Sequence, residues 1–431
     1  MYLFIYSRVN MLKLSKLIIR LVICSLSFLT TTSYAEEEIY VNISDDVELT
    51  VKRYDASGKH LIIWLTPEYG FRKGHFSMAN LMALQGIEVW QTNVVESLFL
   101  PLNTNALKEL DGSHIAKLIE YAHKQTGKKV VLVGDSYASV HVLTSAHKWQ
   151  QNNYPSNSLI GAILFTPFTY SYIPTLGLKP EYMPIVDSTN IPLMIYQAKN
   201  SGNINQFQTV LAKLQQHNNP VYSKFVPDLM SLFYEATQTE TMKHHAKTLL
   251  PNIKKMIAVL EKHTLPTKPI PIVRTRPNIS GIDIQLKEFK GGFKPLNINL
   301  QDTNNKSYVR TDYRDKITIV NFWATWCPPC VEEIPSLNRL VKKMEGKNFE
   351  LISINYAEDK KTIDEFMKQV EVDYPVLLDK DGKFAKQWNV ISYPSTFIID
   401  SKGEIRYGVN SAILWDSPEL INVLTPLLPK K

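Results

Sequence analysis

An α/β chain in two domains is what this sequence predicts, on three observations. Short apolar segments of strand length alternate with amphipathic helical stretches in both halves. Four prolines, Pro266, Pro269, Pro271 and Pro277, cluster between those halves. Apart from Cys24, the cysteines of the chain lie in one stretch, Trp326-Cys327-Pro328-Pro329-Cys330. With 431 residues the chain is long enough for two domains after a leader is set aside.

Residues 1–35 carry Arg8, Lys13, Lys16 and Arg20, no acidic residue, and an apolar run over 17–29 that ends in small residues up to Ala35. A basic start, an apolar middle and small residues at −3 and −1 read as a signal peptide cut after Ala35. Met11 offers a second start that would shorten the basic region. The apolar run falls short of the roughly 20 residues that span a bilayer, which argues against an uncleaved anchor. Export to the periplasm or beyond is therefore expected. In an oxidising compartment a mature chain with only Cys327 and Cys330 has no third thiol to mispair with them. The formal net charge of +7 falls to +3 without the four cations of the leader, and no dense basic run remains, so nucleic acid is not an expected partner.

From 36 to 263 the predicted strands are 61–65, 87–92, 129–133, 159–165, 193–196 and 221–225, with helices over 104–126 and 137–150 between them. This spacing suits an open, mostly parallel sheet. Gly134-Asp135-Ser136-Tyr137-Ala138, at a strand-to-helix junction, resembles the nucleophile elbow of α/β-hydrolases, with Ala138 where the last glycine stands. The resemblance implies an α/β-hydrolase-like domain with Ser136 as candidate nucleophile. Its partners are harder to find. The segment after 193–196 has no carboxylate and the one after 221–225 no histidine; His244 and His245 come later, on a helix. A serine without a positioned base is a weak nucleophile. The expectation is a degenerate hydrolase fold used for binding, with no general base in reach of Ser136. Residues 264–280 read as a semi-rigid Pro-rich linker.

The second domain, 281–431, reads as strand 316–322, helix 327–343, strand 349–355, helix 361–369, strand 376–378, helix 384–388, a hairpin of 396–400 with 404–407, and a closing helix 417–427. A lone Cys-x-x-Cys pair cannot staple a chain of this size and lacks ligands for four-thiolate zinc, which leaves a dithiol that opens and closes. At the first turn of a helix Cys327 gains from unpaired N–H groups and the helix dipole, which favour the thiolate. Pro328 and Pro329 suit that turn. Cys330 is one turn deeper. The sequence thus makes Cys327 the accessible attacking thiol and Cys330 the resolving one.

Asn321-Phe322-Trp323-Ala324-Thr325-Trp326-Cys327-Pro328-Pro329-Cys330 with Pro335 resembles the active-site strand and helix of thioredoxin-fold proteins, most closely the exported TlpA/ResA-like thiol-disulfide oxidoreductases. Ile391-Ser392-Tyr393-Pro394-Ser395-Thr396 matches that family's cis-proline segment. The resemblance implies a thioredoxin fold, a Cys327–Cys330 redox disulfide, Pro394 facing it with a cis bond, and Tyr393 offering backbone to a substrate strand. It places Glu333 and Glu358 where such proteins hold acids near the dithiol. Where ordinary thioredoxins bury an aspartate, this chain has Asn321, so Glu333 is the candidate acceptor of the Cys330 proton. The implied function is reduction of protein disulfides, recharged by a membrane thiol reductant, in tasks such as cytochrome c maturation. No Cys-x-x-Cys-His occurs, so no bound haem is expected, and neither metal nor other cofactor. The rivals are a thiol oxidase or isomerase, and a secreted serine hydrolase using Ser136 with an accessory redox domain.

Overall fold

The structure is a computed structural model that describes residues 36–152, 158–227, 229, 231, 233, 240–266, 268–273 and 286–429. The expected leader lies outside these residues, as do 267 and 274–280 of the expected linker and 281–285 at the start of the expected second domain.

The N-terminal unit is built on a mixed eight-stranded sheet in the order β1 (Glu36–Ser44), β2 (Val47–Tyr54), β4 (Glu88–Thr92), β3 (His60–Leu65), β5 (Lys129–Asp135), β6 (Leu159–Phe165), β7 (Leu193–Ala198) and β8 (Val221–Val226). From β4 to β8 neighbouring strands run parallel, while β1 and β2 form an antiparallel hairpin that joins β4 antiparallel. The sequence reading missed that hairpin. Its alternation of charged and apolar residues is a half-buried strand pattern, and the acidic Glu36-Glu37-Glu38 start masked it. The central strands are apolar throughout because both faces are covered. One face packs the helices Ser113–Thr126 and Ala138–Gln151, the other Lys73–Leu84 and Glu240–Leu260. The helix expected over 104–126 is two, Thr104–Glu109 and Ser113–Thr126.

The described part of the proline stretch is no free spacer. Gln150, Asn190, His147 and Ser188 side chains bond the carbonyls of Pro266, Lys268, Ile270 and Pro271 at 2.7, 2.9, 2.9 and 3.1 Å. Proline removes backbone donors but leaves every carbonyl free, so side chains of the first unit can strap it down.

The second sheet runs β11 (Ser307–Arg310), β10 (Ile298–Asp302), β14 (Val376–Asp379), β13 (Phe349–Tyr356), β12 (Ile317–Trp323), β15 (Ser395–Ile399), β16 (Ile405–Val409) and β9 (Lys287–Glu288). Strands β12, β13 and β14 are parallel, and β15 and β16 complete the sheet antiparallel, which is the βαβ unit plus hairpin of a thioredoxin fold. The short strands β9, β10 and β11, at and next to the two edges, carry little apolar signal and were not anticipated. One face buries Phe322, Phe397 and Trp388, the other Leu337, Leu340 and Trp415.

The two units are docked. Leu176, from the connection between β6 and β7, is 3% exposed and buried in the C-terminal cluster around Phe322 and Phe397. Asn410 Nδ2 donates to the Pro174 carbonyl, Tyr356 Oη to that of Asn200, and Asn205 Nδ2 to that of Lys386 at 3.2 Å. Gly177 sits at φ +82, a conformation few side chains adopt, and a Cβ there would lie 2.2 Å from the Gly291 Cα. Among the described residues no helix is long and apolar enough to cross a membrane.

Candidate active site at the junction of the two units

Strand β12 delivers the dithiol. Its seven residues are fully buried, and the chain leaves the sheet at Ala324 into a helix over Pro328–Lys343, with Cys327 as N-cap and Pro328 at the first helical position. Cys327 and Cys330 are joined as a disulfide, Cα atoms 5.3 Å apart. The loop before them is braced by Glu358, whose carboxylate accepts from the Thr325 amide at 2.8 Å, the Thr325 hydroxyl, and Asn355 Nδ2 at 2.8 Å. Burial raises the Glu358 pKa, against the pull of those bonds. Opposite, the Tyr393–Pro394 peptide is cis, and the Tyr393 ring lies edge-on to Trp326 and stacked on Tyr356.

Glu333, the sixth residue of the same helix, is 2% exposed. Asn321 Nδ2 donates to its Oε1 and Trp415 Nε1 to its Oε2, both at 2.8 Å. Neither donor is charged. Burial therefore pushes the carboxyl up to about 7, the two hydrogen bonds only moderating the rise. The strand position Asn321 thus holds the buried acid rather than supplying it.

A cavity of about 240 Å³ opens over the dithiol, and its far wall comes from the N-terminal unit. Tyr137, Phe168, Tyr170 and Ile173 face Trp326, Cys327 and Tyr393 across it, with Ser136 and Glu68 at its polar end. This corrects the expectation of an accessible Cys327: it is 3% exposed, scarcely more than Cys330 at 1%. The segment around Gly202 closes on the cis-proline loop, where a Cβ would stand 3.0 Å from the Ile391 carbonyl oxygen.

Ser136 sits at the sharp turn between β5 and the helix Ala138–Gln151 with φ +51, a left-handed conformation uncommon for a residue with a Cβ. Gly134 permits the turn, since a Cβ there would meet the Ala138 backbone at 2.9 Å. The expectation that no base reaches Ser136 is overturned: its hydroxyl donates to Glu68 Oε1 at 2.6 Å. Glu68 follows β3, whereas the reading searched only after β7 and β8. The signal was available, because ligand-contacting residues in such sheets gather at the carboxyl ends of strands, and Glu68-Tyr69-Gly70 follows one. Burial raises Glu68 to about 7. Its other oxygen accepts the Tyr137 amide at 3.2 Å. That amide follows the serine and is the donor an elbow offers to an oxyanion. Beneath lie two further groups the sequence reading passed over. Asp135 accepts from the Tyr69 hydroxyl and contacts His75 Nε2 at 3.2 Å, while His75 Nδ1 accepts the Arg72 amide at 2.8 Å. His75 is thereby engaged at both nitrogens. His244 and His245 stay on the helix Glu240–Leu260, stacked edge-on against each other, and do not line the cavity. Among the described residues no cluster of three or more His, Cys, Asp and Glu could hold a metal ion.

The two raised carboxyls make stability depend on pH. A carboxyl whose folded pKa lies above its unfolded value stabilises the fold below the unfolded pKa, and this contribution is lost as pH rises to the folded one. Glu68 and Glu333 rise from 4.5 to about 7, so stability should fall over that window. The loss is on the order of 3 kcal/mol per group. Urea denaturation between pH 4.5 and 8 should show the fall, and Glu333→Gln should remove about half of it.

A disulfide at a helix N-terminus, facing a cis-proline on a β12-β13-β14-β15-β16 sheet, defines a thioredoxin-like redox domain. Through that domain the chain belongs to the thioredoxin-like family. Residues 292–408 match the AhpC/TSA family. The thiol-disulfide oxidoreductase ResA of Bacillus thuringiensis subsp. konkukian is 35% identical over 114 residues, which are 26% of this chain and 66% of that protein. The ResA of Bacillus subtilis is 35% identical over 109 residues, 25% of this chain and 61% of its own. The thioredoxin-like protein YneN of Bacillus subtilis is 37% identical over 118 residues, 27% of this chain and 68% of its own. The chain thus spans just under two thirds of the ResA proteins it matches. A crystal structure of StoA from Bacillus subtilis aligns with 23% identity and a TM-score of 0.25, over 28% of this chain and 90% of that one.

Proposed function

We propose that the protein is an exported reductant of disulfides, working through Cys327 and Cys330. The observation that carries this reading is the Cys327–Cys330 disulfide at the start of a helix, with the buried carboxyl of Glu333, its pKa about 7, three residues beyond Cys330. In the reduced state the Cys327 thiolate attacks one sulfur of a client disulfide. That S–S bond breaks, a mixed disulfide forms on Cys327, and the departing client sulfur takes a proton. Cys330 then gives its proton to Glu333 and attacks the Cys327 sulfur. The second client sulfur leaves, taking up the proton that Glu333 had accepted, and the Cys327–Cys330 disulfide remains. One client disulfide is reduced and one dithiol oxidised per cycle, so an external thiol reductant must restore the pair; a membrane thiol reductant is the proposed partner, and cytochrome c maturation a task of this type. Glu358 and Trp326 position the attacking cysteine, and Tyr393 with Pro394 forms the facing wall.

Glu333→Gln should slow release of the mixed disulfide about tenfold and flatten its dependence over pH 5–8. Stopped-flow thiol release measures this; unchanged kinetics would reduce Glu333 to a structural acid.

Export rests on the composition of 1–35. Sequencing the amino terminus of secreted protein should begin at Glu36. The 36–263 unit we read as an α/β-hydrolase-like domain, supported by the serine turn at the carboxyl end of β5, put to use in binding. Glu68 takes both the Ser136 proton donor and the Tyr137 amide, leaving no free oxyanion donor there. A fluorophosphonate probe should therefore leave the protein unlabelled; labelling abolished by Ser136→Ala would favour hydrolysis with Glu68 as base.

A further inference from the structure

The cavity over the dithiol is walled by both units, and two hydroxyls of its lining residues are left without a partner. Tyr170, 2% exposed, lines it, and among the described residues its hydroxyl meets no hydrogen-bonding atom. A buried hydroxyl left unpaired costs roughly 1–3 kcal/mol. Ser392 Oγ, across the cavity beside the cis-proline, is likewise buried and unpaired. Both orphaned hydroxyls belong to residues that line one apolar cavity, which suits a ligand that supplies acceptors.

We propose that the N-terminal unit forms the second wall of the redox substrate site and selects clients that are short, extended cystine-bearing segments with apolar or aromatic neighbours, to the exclusion of folded surfaces. This rests on the reductant reading above and names its substrate class. The rings of Phe168, Tyr170, Trp326 and Tyr393 surround the approach to Cys327 and would pack the flanking side chain. A peptide carbonyl supplies the acceptor that Tyr170 and Ser392 lack. Size is the second argument. Small-molecule pockets run to roughly 300–1,000 Å³, and a space of this order admits a few residues of extended chain but no folded domain. Folded proteins are kept off because Cys327 is 3% exposed and the loop holding Gly202 lies on Ile391. The same chemistry could be met by a free cystine peptide or by an unfolded stretch of a longer chain.

The test uses the full-length protein, pre-reduced, in single turnovers followed by release of client thiol. Four disulfides are compared: a blocked Cys-Phe peptide dimer, its Cys-Asp counterpart, an unfolded protein with one disulfide, and a folded protein with one exposed disulfide. The apolar peptide should react at least about tenfold faster than the acidic peptide and the folded protein. Comparable rates for the unfolded protein would identify unfolded chains as a source of clients; a rate as low as that of the folded protein would restrict the site to free peptides. Tyr170→Phe keeps the ring and should lower the rate with the apolar peptide about fivefold. Ile173→Trp, at a position 48% exposed, should narrow the cavity and lower it further without unfolding the chain. Neither should change the equilibrium with glutathione. Equal rates for the folded protein and the apolar peptide, or no effect of either variant, would overturn the proposal and leave the reductant reading intact. Failure to reduce any of the four would overturn both.

Discussion

Cys330→Ser should abolish turnover and accumulate mixed disulfides on Cys327, whereas Cys327→Ser should abolish turnover and accumulate none. The asymmetry follows from position. Cys327 is the N-cap of the helix and lines the cavity, while Cys330 lies a turn deeper and 1% exposed, among Trp323, Ile334 and Ile363. A client sulfur can approach only the first. Once Cys330 has lost its sulfur, the mixed disulfide has no internal resolving thiol and persists until external thiol attacks it. Non-reducing gels of protein mixed with a cystine peptide, checked by mass, distinguish the two variants. Adducts on Cys330 in the Cys327→Ser protein would reverse the roles.

Leu176→Asp should uncover the dithiol. Leu176 is the apolar anchor by which the first unit enters the core of the second, in a cluster that contains Phe397 and Trp388 with Phe289 packed against it. An unpaired charge in such a site costs several kcal/mol, and undocking of the two units relieves it while each retains its own sheet and core. Alkylation of reduced Cys327 by iodoacetamide should then accelerate at least about tenfold, because the reactive state becomes the open one. The folded-protein disulfide, a poor client of the parent, should become a good one. An unchanged alkylation rate with an intact fold would show that Leu176 does not hold the cover.

How far the sequence could be read depended on whether a signal was local. The Cys-Pro-Pro-Cys helix start, the strand before it and the Tyr393-Pro394 turn are contiguous motifs, and each stands in the structure where its own residues place it. The parallel strands of the first sheet were legible for the same reason, as unbroken apolar runs between helices. Edge strands such as Ser307–Arg310, half polar and short, gave no such run. Glu333 could be nominated from its place in the helix, but its bond from Trp415, 82 positions away, joins two segments that no pattern connects. The same holds for the pairing of Glu68 with Ser136 and of Leu176 with the second core. These are contacts between distant segments, set by docking of finished elements. The burial of Cys327 is the largest consequence, since a motif alone describes a dithiol at a surface.

The central claim is that this dithiol gives electrons to its clients. Equilibrating the full-length protein against glutathione of defined ratio, and reading the fraction of Cys327–Cys330 disulfide, measures its potential directly. The account predicts a value near that of thioredoxin, about −270 mV, which makes the reduced pair a donor; a value near about −120 mV, as in a strong thiol oxidant, would contradict it.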